Sequence, residues 1–392
     1  MQELPFSTPK QVTKTITTYK SFLTMGIELI HEHPDQPREW QSTVDEYLAS
    51  NAIPYTKATP LQGGHSAYVW RVDGYDDDSA ACRKGEPCVL KYAEGTGKGA
   101  PDSVMDPTRM RFEARALTSE PVRKACLAEP SVEVPQVLRT TDQALLMTWG
   151  GEIDLRSAYT RGRCFDPGTV GAKLGRWLAH MHRAGTQDSE SAGFENATMD
   201  NFKNVEVENL RTVMLANGFE ETAVSDAIVR LEIPASVETL TAWDFRPMNA
   251  LLRFEDSVDA EPGITVIDWE GNTYGCPVWD LRLWVTEALV LEAKYGNKKT
   301  LLSSFLTAYR CSAGEAIVSN DFIAKLALSV GSTLDLLVPM GLWKSTEEEV
   351  RYWRDRAVHF IRAGVNRDMR WIASSELGPL CEGKILGSTS ML

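Results

Sequence analysis

The stretch LTAWDFRPMNALL, residues 240–252, constrains the fold more than any other part of the chain. An apolar run leads into Asp244, four residues separate it from Asn249, and a second apolar run follows. Pro247 lies between the two polar residues. Because proline lacks a backbone donor and is poorly tolerated inside a sheet, we predict a loop in the centre and short strands on both sides.

Length and charge narrow the class of protein. A chain of 392 residues is long enough for two lobes and a substantial core. Hydrophobic residues make up 43% and charged residues 24%, which is ordinary for a globular protein in water. The net charge of −13 argues against nonspecific binding of nucleic acid, and it suits either a cationic substrate or solubility alone. We therefore predict no nucleic-acid partner.

The cysteines and the N-terminus bear on the compartment and on metals. The seven cysteines form no Cys-x-x-Cys pair, so neither a disulfide framework nor a zinc site is favoured. His180 and His182 are two apart and would point in different directions on a helix, which argues against a zinc pair. The N-terminus lacks the apolar core of a signal peptide, and no apolar run is long enough to cross a membrane. We expect a cytoplasmic protein with no membrane partner.

The first part of the chain reads as strand-rich. Residues 1–41 are polar and contain several prolines, so we expect them to form an extension. Beyond it, STVDEYLASN is a predicted helix with Ser42 as its cap. The other predicted elements are strands over 67–72, 87–93 and 143–149, and a helix over 107–120. Together these segments predict an N-lobe over residues 42–150.

The pattern becomes helical from about residue 165. In VGAKLGRWLAHMH, residues 170–182, the apolar side chains recur with helical spacing on one stripe. Further helices are predicted over 205–232, 280–295, 298–312, 320–340 and 346–373, with short strands over 249–253 and 264–268. We therefore predict an α+β protein whose helical C-lobe spans 151–378, followed by a tail over 379–392.

Two features of the N-lobe are candidates for binding phosphate. Gly63 and Gly64 form a turn before a strand, where backbone N–H groups can cover phosphates, although the same pair is common in hairpin turns. Lys91 lies in the middle of the strand CVLKYA, where a lysine must reach solvent or pair with a carboxylate. Glu113, on the next predicted helix, is a natural partner. Taken alone, Lys91 also fits an ordinary edge strand.

The C-lobe supplies three more polar residues. ITVIDWEG places Asp268 at the end of an apolar strand, where an isolated aspartate most often caps a helix or a turn. With Asn249 it offers two hard oxygen ligands for Mg²⁺, beside Asp244 as a proton acceptor. The ordered set of Gly-Gly, Lys, Glu, Asp-x4-Asn and Asp is specific as a whole.

This set resembles the aminoglycoside phosphotransferase and choline kinase branch of the protein-kinase-like superfamily, which also includes methylthioribose kinase and hydroxytryptamine kinase. The resemblance implies a bilobal protein-kinase-like fold, with a strand-rich N-lobe that contains one key helix and a mostly helical C-lobe. It also implies ATP and Mg²⁺ as cofactors and a small molecule with a hydroxyl group as acceptor.

The resemblance assigns roles in the N-lobe residue by residue. Gly63 and Gly64 match the loop that covers the phosphates, and Lys91 matches the lysine that contacts the α- and β-phosphates. Glu113 matches the ion-pair partner of that lysine. The segment LLMTWGG looks like the family's hinge. There the carbonyl of Thr148 and the N–H of Gly150 would bind adenine, with Met147 behind the ring.

In the C-lobe, Asp244 matches the catalytic aspartate, and Asn249 and Asp268 match the metal ligands. Asp280, in VWDL, matches an aspartate that is credited with holding the catalytic loop. The family usually has His-Gly-Asp at that loop, whereas this chain has Ala242-Trp243-Asp244. The substitution raises an alternative function, a catalytically impaired kinase fold that binds a small molecule or a protein.

The acceptor site is expected to include Trp243 and Arg246, next to Phe245. An aromatic wall with carboxylates further away would suit a compact, hydroxylated molecule that carries an amine. The carboxylates expected there are Glu287, Asp335 and the run Glu347–Glu349. The competing interpretation is that Arg246 faces the acceptor and selects an anionic or neutral molecule.

Overall fold

The computed structural model describes residues 38–61, 66–75, 85–97, 100–106, 108–186, 194, 196–233, 237–254, 261–296, 300–340 and 343–383. Gly63, Gly64 and most of the expected extension lie outside the described residues. The first helix, α1 (Arg38–Ser50), begins four residues before the predicted cap Ser42. Within the described residues the chain has a strand-rich N-terminal part and a mostly helical remainder, which confirms the predicted fold class.

A five-stranded antiparallel sheet forms the N-terminal part, with strand order β1-β2-β3-β8-β7. Its strands are β1 (Lys57–Pro60), β2 (Ala67–Asp73), β3 (Cys88–Ala93), β7 (Val137–Thr140) and β8 (Ala144–Thr148). Side chains alternate between the faces. Cys88 and Leu90 join a small core with Val44 and Leu48 of α1 on one face. Lys91 therefore lies on the opposite face, which packs on the main core.

Two short helices follow the hairpin of β4 (Thr96–Gly97) and β5 (Ala100–Val104). The helix predicted over 107–120 is present as α2 (Arg109–Leu117), which ends three residues earlier than predicted, and a second helix, α3 (Glu120–Ala128), follows it. Pro121 explains the break, since proline fits the first turn of a helix but cannot donate a hydrogen bond in its interior. Glu113 is buried on α2, which packs against β3, β7 and β8.

The C-terminal part is built from nine helices among the described residues. They are α4 (Leu155–Thr160), α5 (Pro167–Gly185), α6 (Ala197–Ala216), α7 (Glu221–Glu232), α8 (Val278–Tyr295), α9 (Leu301–Ala313), α10 (Asn320–Leu337), α11 (Glu347–Asn366) and α12 (Met369–Ser374). Helices α5 and α9 approach closely because α5 carries Gly171 and Gly175 at the contact. A Cβ at these positions would lie 2.2 Å from the carbonyl oxygen of Leu301 and 2.3 Å from that of Phe305.

Short strands in the C-lobe flank the segments that carry its polar residues. β10 (Thr239–Thr241) pairs with β13 (Thr273–Gly275), and a second sheet has the order β6-β12-β11-β9. The strands of that sheet are β6 (Val132–Glu133), β9 (Ile153–Asp154), β11 (Ala250–Arg253) and β12 (Gly263–Val266). A loop and a 3₁₀ turn, Pro247–Asn249, join β10 to β11. The segment 240–252 is thus a strand, a loop and a strand, as predicted.

The last described residues pack on the C-lobe. Leu380 and Cys381 are buried, so residues 379–381 are not the tail that the sequence suggested. Thr346 and Glu349 form a reciprocal capping box at the start of α11, which agrees with the predicted helix start there. No helix within the described residues is long and apolar enough to cross a membrane.

Candidate active site

Lys91 and two carboxylates meet where the two lobes face each other. The Nζ atom of Lys91 lies 2.6 Å from Oε2 of Glu113 and 2.8 Å from Oδ1 of Asp268. Strand β3 supplies the lysine, α2 the glutamate, and the segment after β12 the aspartate. Burial lowers the pKa of Lys91, but Asp268 and Glu113 raise it more, so the net shift is upward and the lysine stays charged.

Glu270 belongs to the same cluster and was missed by the sequence reasoning. Carboxylate oxygens of Glu113, Asp268 and Glu270 lie within 4.8 Å of one another. Burial raises the pKa of Glu270 to about 7, helped by Asp268 and opposed by Lys91 and Arg109. The available signal was a second acidic residue two positions after Asp268, in DWEG.

Arg109 ties this cluster to the N-lobe. Its Nε lies 3.6 Å from Oε2 of Glu270. Its guanidinium donates to the carbonyl oxygen of Ser66 and, at 2.7 Å, to that of Glu94. Arg109 is buried, and no motif in the sequence singles it out.

Asp244 is buried in the loop between β10 and β11. Asn249 donates through Nδ2 to Oδ2 of Asp244 at 2.8 Å and to its carbonyl oxygen at 2.9 Å. Nε of Arg246 lies 3.1 Å from Oδ1. Burial raises the pKa of Asp244 to about 6; Arg246 opposes the rise, and Asp268 and Glu287 add to it. Asp268 is thus among the charges that act on Asp244.

The backbone brings Asn249 next to Asp268. The N–H of Ile267 donates to the carbonyl oxygen of Asn249 at 2.9 Å, and Asp268 follows with a left-handed φ of 68°. The side chain of Asp268 is 31% exposed, against 8% for Lys91 and 1% for Glu113. Asn249 uses its amide nitrogen on Asp244, so its amide oxygen is the atom suited to a cation. The two residues thus fit a hard divalent ion.

Asp280 lies directly under the loop that carries Asp244. Its carboxylate accepts the N–H of Ala242 at 3.1 Å and that of Trp243 at 2.7 Å. Nε2 of His182 is 3.0 Å from the same carboxylate, and Nδ1 of His182 is 2.7 Å from the hydroxyl of Tyr309. Asp280, His182 and Tyr309 are fully buried. The sequence did not predict that His182 and Tyr309 would form a hydrogen-bonded chain with Asp280.

The expected aromatic wall of the acceptor site is not formed. Trp243 is 2% exposed, and its ring stacks on that of Trp279 with centroids 4.8 Å apart. Phe245 is also 2% exposed and packs against Trp177 and Trp284. Both side chains therefore belong to the core. The physical reason is that a large aromatic side chain gains more from complete burial against other rings than from lining an open cleft.

Arg246 contacts both Asp244 and Glu287, which is one of the expected carboxylates. Its Nη1 lies 3.4 Å from Oε1 of Glu287, which is fully buried on α8. Burial raises the pKa of Glu287, and Arg246 and Arg156 oppose that rise. Two of the other expected carboxylates pair elsewhere. Asp335 lies 3.6 Å from Arg354, and Glu349 lies 3.2 Å from Lys294 while it caps α11.

Met147, Thr148 and Gly150 lie where the chain leaves the N-terminal sheet for the C-lobe. Met147 is 4% exposed and pairs with Val89 across β3 and β8. The N–H of Thr148 donates to the carbonyl oxygen of Gln136 at 3.0 Å. A Cβ at Gly150 would lie 3.0 Å from the side chain of Thr265, so the chain packs closely there against the C-lobe sheet.

Comparison with known proteins identifies the family. The model of the phosphotransferase enzyme family matches residues 57–309, a range that contains every residue of the site described above. The chain belongs to this family. Membership confirms the predicted resemblance to aminoglycoside phosphotransferases and the prediction of a small-molecule kinase.

A curated relative and several solved structures are similar over most of their length. The 4-hydroxytryptamine kinase of Psilocybe cyanescens is 22% identical over 327 residues, which cover 79% of this chain and 88% of that protein. The apoenzyme of the macrolide 2′-phosphotransferase MphH from Brachybacterium faecium is 15% identical with a TM-score of 0.42, covering 84% of this chain and 98% of that one. Choline kinase from Cryptosporidium parvum is 10% identical with a TM-score of 0.43, covering 86% and 98%.

Proposed function

We propose that this phosphotransferase moves the γ-phosphoryl group of ATP to a hydroxyl group of a small molecule, with Mg²⁺ as the metal. One observation carries the proposal. The charged cluster of Lys91, Glu113 and Asp268 lies in the same site as the buried pair of Asp244 and Asn249. Phosphoryl transfer needs a cation for the phosphates, oxygen ligands for a metal and a base for the attacking hydroxyl, and this set supplies all three.

Lys91 would provide the fixed positive charge for the phosphates. Its contact with Glu113 at 2.6 Å fixes the direction of the side chain, and the raised pKa keeps it protonated. Gly63 and Gly64 would cover the phosphates from the preceding loop. The carbonyl of Thr148 and the N–H of Gly150 would hold adenine. These nucleotide contacts rest on the family's pattern.

Asn249 and Asp268 would hold the metal. Both offer hard oxygen atoms, and the partial exposure of Asp268 fits a ligand that meets the nucleotide at the cleft. When bound, the ion would neutralise negative charge on the phosphates and so ease the approach of the acceptor oxygen. Glu270, buried beside Asp268, adds a third carboxylate close to the site.

Asp244 would act as the general base. Its pKa of about 6 leaves it mostly ionised at neutral pH, while Asn249 and Arg246 fix the orientation of the carboxylate. The acceptor hydroxyl gives its proton to Asp244 as its oxygen forms a bond to the γ-phosphorus. The bond from that phosphorus to the bridging oxygen breaks, and ADP leaves with the bonding electrons.

The acceptor is proposed from Arg246 and Glu287, since Trp243 does not line the cleft. Glu287 could receive an amine only if Arg246 moved away from it, whereas Arg246 could receive an anionic or neutral acceptor directly. The relative named 4-hydroxytryptamine kinase makes a hydroxylated aromatic amine the first compound to test.

The impaired binding module remains the second candidate function, motivated by Ala242-Trp243 in place of His-Gly. Its weakness is that Lys91, Glu113, Asp244, Asn249 and Asp268 are all retained. A protein that only binds a nucleotide or a small molecule needs few of them together.

The experiment is a screen of ADP release with ATP and Mg²⁺ over hydroxylated amines, sugars and phenols, with mass spectrometry to detect the phosphate ester. Each amine is paired with its N-acetylated form, because acetylation removes the charge and leaves the hydroxyl. Turnover of any member supports the kinase. Thermal shift tests the metal separately: Asp268→Asn should lose the additional stabilisation that Mg²⁺ gives with ATP. The binding module would be favoured if no compound is turned over and if Mg²⁺ adds nothing to the thermal stabilisation that ATP gives.

A further inference from the structure

Trp243 adopts a backbone conformation that a bulky residue rarely takes. Its φ is 68°, in the left-handed region that favours glycine, and it directly precedes Asp244. The family pattern has a glycine at this position, which adopts such an angle without strain. A tryptophan persists there only where the surroundings fix it, so its contacts show what holds the loop in this chain.

Arg282 contacts both the backbone and the ring of Trp243. Its Nη1 donates to the carbonyl oxygen of Trp243 at 3.3 Å and to that of Trp279 at 2.6 Å. Its guanidinium carbon lies 4.7 Å from the centre of the Trp243 ring and 5.1 Å from that of Trp279. Arg282 is fully buried on α8, two residues after Asp280.

Glu206 of α6 fixes the guanidinium of Arg282 from the other side. One contact joins Nη2 and Oε1 at 2.9 Å, and another joins Nε and Oε2 at 3.1 Å. Such a two-pronged pair sets the plane of the guanidinium as well as its position. Glu206 is itself 4% exposed, so solvent does not weaken the contact.

The ring of Trp243 is enclosed by two further features. It stacks on Trp279 at an angle of 26°. Gly271 lies on another side, where an added Cβ would be 3.3 Å from the Cβ of Trp243 and 3.2 Å from the sulfur of Met199. The indole therefore fits because Gly271 has no side chain, and it has little freedom to move.

We propose that Arg282, held by Glu206, is a positioning residue that fixes the backbone of Trp243 and thereby the carboxylate of Asp244. Asp280 holds the N–H of Trp243 and Arg282 holds its carbonyl group, so the residue before Asp244 is restrained at both ends. The pair would thus restrain the loop in a chain that has Ala242-Trp243 where the family has His-Gly. The proposal rests on the proposed function, in which Asp244 is the general base.

The competing explanation is that Arg282 and Glu206 only stabilise the fold. Replacing Arg282 alone would leave Glu206 buried and unpaired, which is strongly destabilising for either reason. The double variant Glu206→Gln/Arg282→Met avoids this, because it removes both charges while it keeps similar volumes. The control is Glu129→Gln/Arg176→Met, which removes a 2.6 Å pair between the end of α3 and α5 whose arginine is 42% exposed.

The experiment measures turnover, the KM for ATP and hydrogen exchange of the amides over 242–249. In the double variant we expect kcat to fall about 10–100-fold with the KM for ATP within about twofold, because a small displacement of the base slows transfer without affecting the nucleotide. Loop exchange should become about tenfold faster. The control should change neither. Normal kcat and normal loop exchange in the double variant would overturn the proposal.

A second variant and the loop exchange of the wild type distinguish failure of this proposal from failure of the proposed function. Arg282→Lys keeps a charge opposite Glu206 but lacks the planar fork, so it should fold and show the same fall in kcat even where the double variant is unstable. Unchanged kcat and loop exchange in Arg282→Lys would also contradict the proposal. If the wild type turns over no acceptor, the proposed function fails, and loop exchange alone still decides whether Arg282 fixes the loop.

Discussion

Arg246 should set the pH at which Asp244 becomes active. Burial raises the pKa of Asp244 to about 6, and the positive charge of Arg246, 3.1 Å away, keeps it from rising further. A general base works only when it is ionised, so activity is lost as the pH falls through this pKa. With a pKa of about 6, the ionised fraction is about 90% at pH 7 and about 10% at pH 5. We expect kcat/KM to fall roughly tenfold from pH 7 to pH 5.

Arg246→Gln removes the charge and keeps a hydrogen-bond donor. A neighbouring arginine lowers the pKa of an aspartate by about 1–3 units, so the variant's acidic limb should move upward by at least about one pH unit. The assay is kcat/KM for ATP from pH 5 to 9, followed by ADP release. The quantity to compare is the midpoint of the acidic limb. The absolute value of kcat/KM does not decide the question, because it would also fall in Arg246→Gln if Arg246 touches the acceptor.

Glu270 is the necessary control, because its pKa of about 7 lies in the same range. If Glu270→Gln abolishes the acidic limb, the limb belongs to Glu270 and the reasoning is wrong. It is equally refuted if Arg246→Gln and the wild type share one midpoint, since a charge at 3.1 Å would then have no influence on the titrating group.

Two other predictions concern the nucleotide and the packing. Lys91→Met should lower kcat/KM for ATP by about 10–100-fold, because it removes a charge-assisted contact to the phosphates, while Glu113→Gln should have a smaller effect on the same assay. Equal activity of Lys91→Met and wild type would show that the N-lobe has been misinterpreted. Gly175→Ala should lower the unfolding free energy by about 1–3 kcal/mol in denaturant titration, since a Cβ would meet the carbonyl of Phe305 at 2.3 Å. Gly95→Ala is the control, with no atom within 4 Å of the added Cβ, and equal losses in both would contradict the packing argument.

Local patterns were sufficient for most of the fold. Alternation along β3 placed Lys91, and the proline between Asp244 and Asn249 marked a loop between strands. The predicted helix ran three residues past the end of α2, although Thr118, Ser119 and Pro121 mark the break in the sequence. The packing of α3 against α5, in contrast, is tertiary information.

Within the site, the sequence singled out residues whose order along the chain is distinctive, but it did not predict how the side chains are oriented. The five residues Asp244, Asn249, Asp268, Lys91 and Glu113 could be chosen because their order along the chain is distinctive. The direction of Trp243 could not be inferred, because it depends on a left-handed φ and on the absence of a side chain at Gly271. Arg282 and Glu206 are separated by 76 residues and meet only after α6 and α8 pack.

The central claim is that Asp244 accepts the proton of the acceptor hydroxyl. Asp244→Asn keeps the shape of the side chain but removes the negative charge that pairs with Arg246, so turnover and ATP binding must both be measured. We predict that kcat falls by on the order of 10²–10⁴, while calorimetry shows that ATP still binds with Mg²⁺. Near-normal kcat in this variant, with the acceptor that the wild type phosphorylates, would contradict the account and assign the proton to another group.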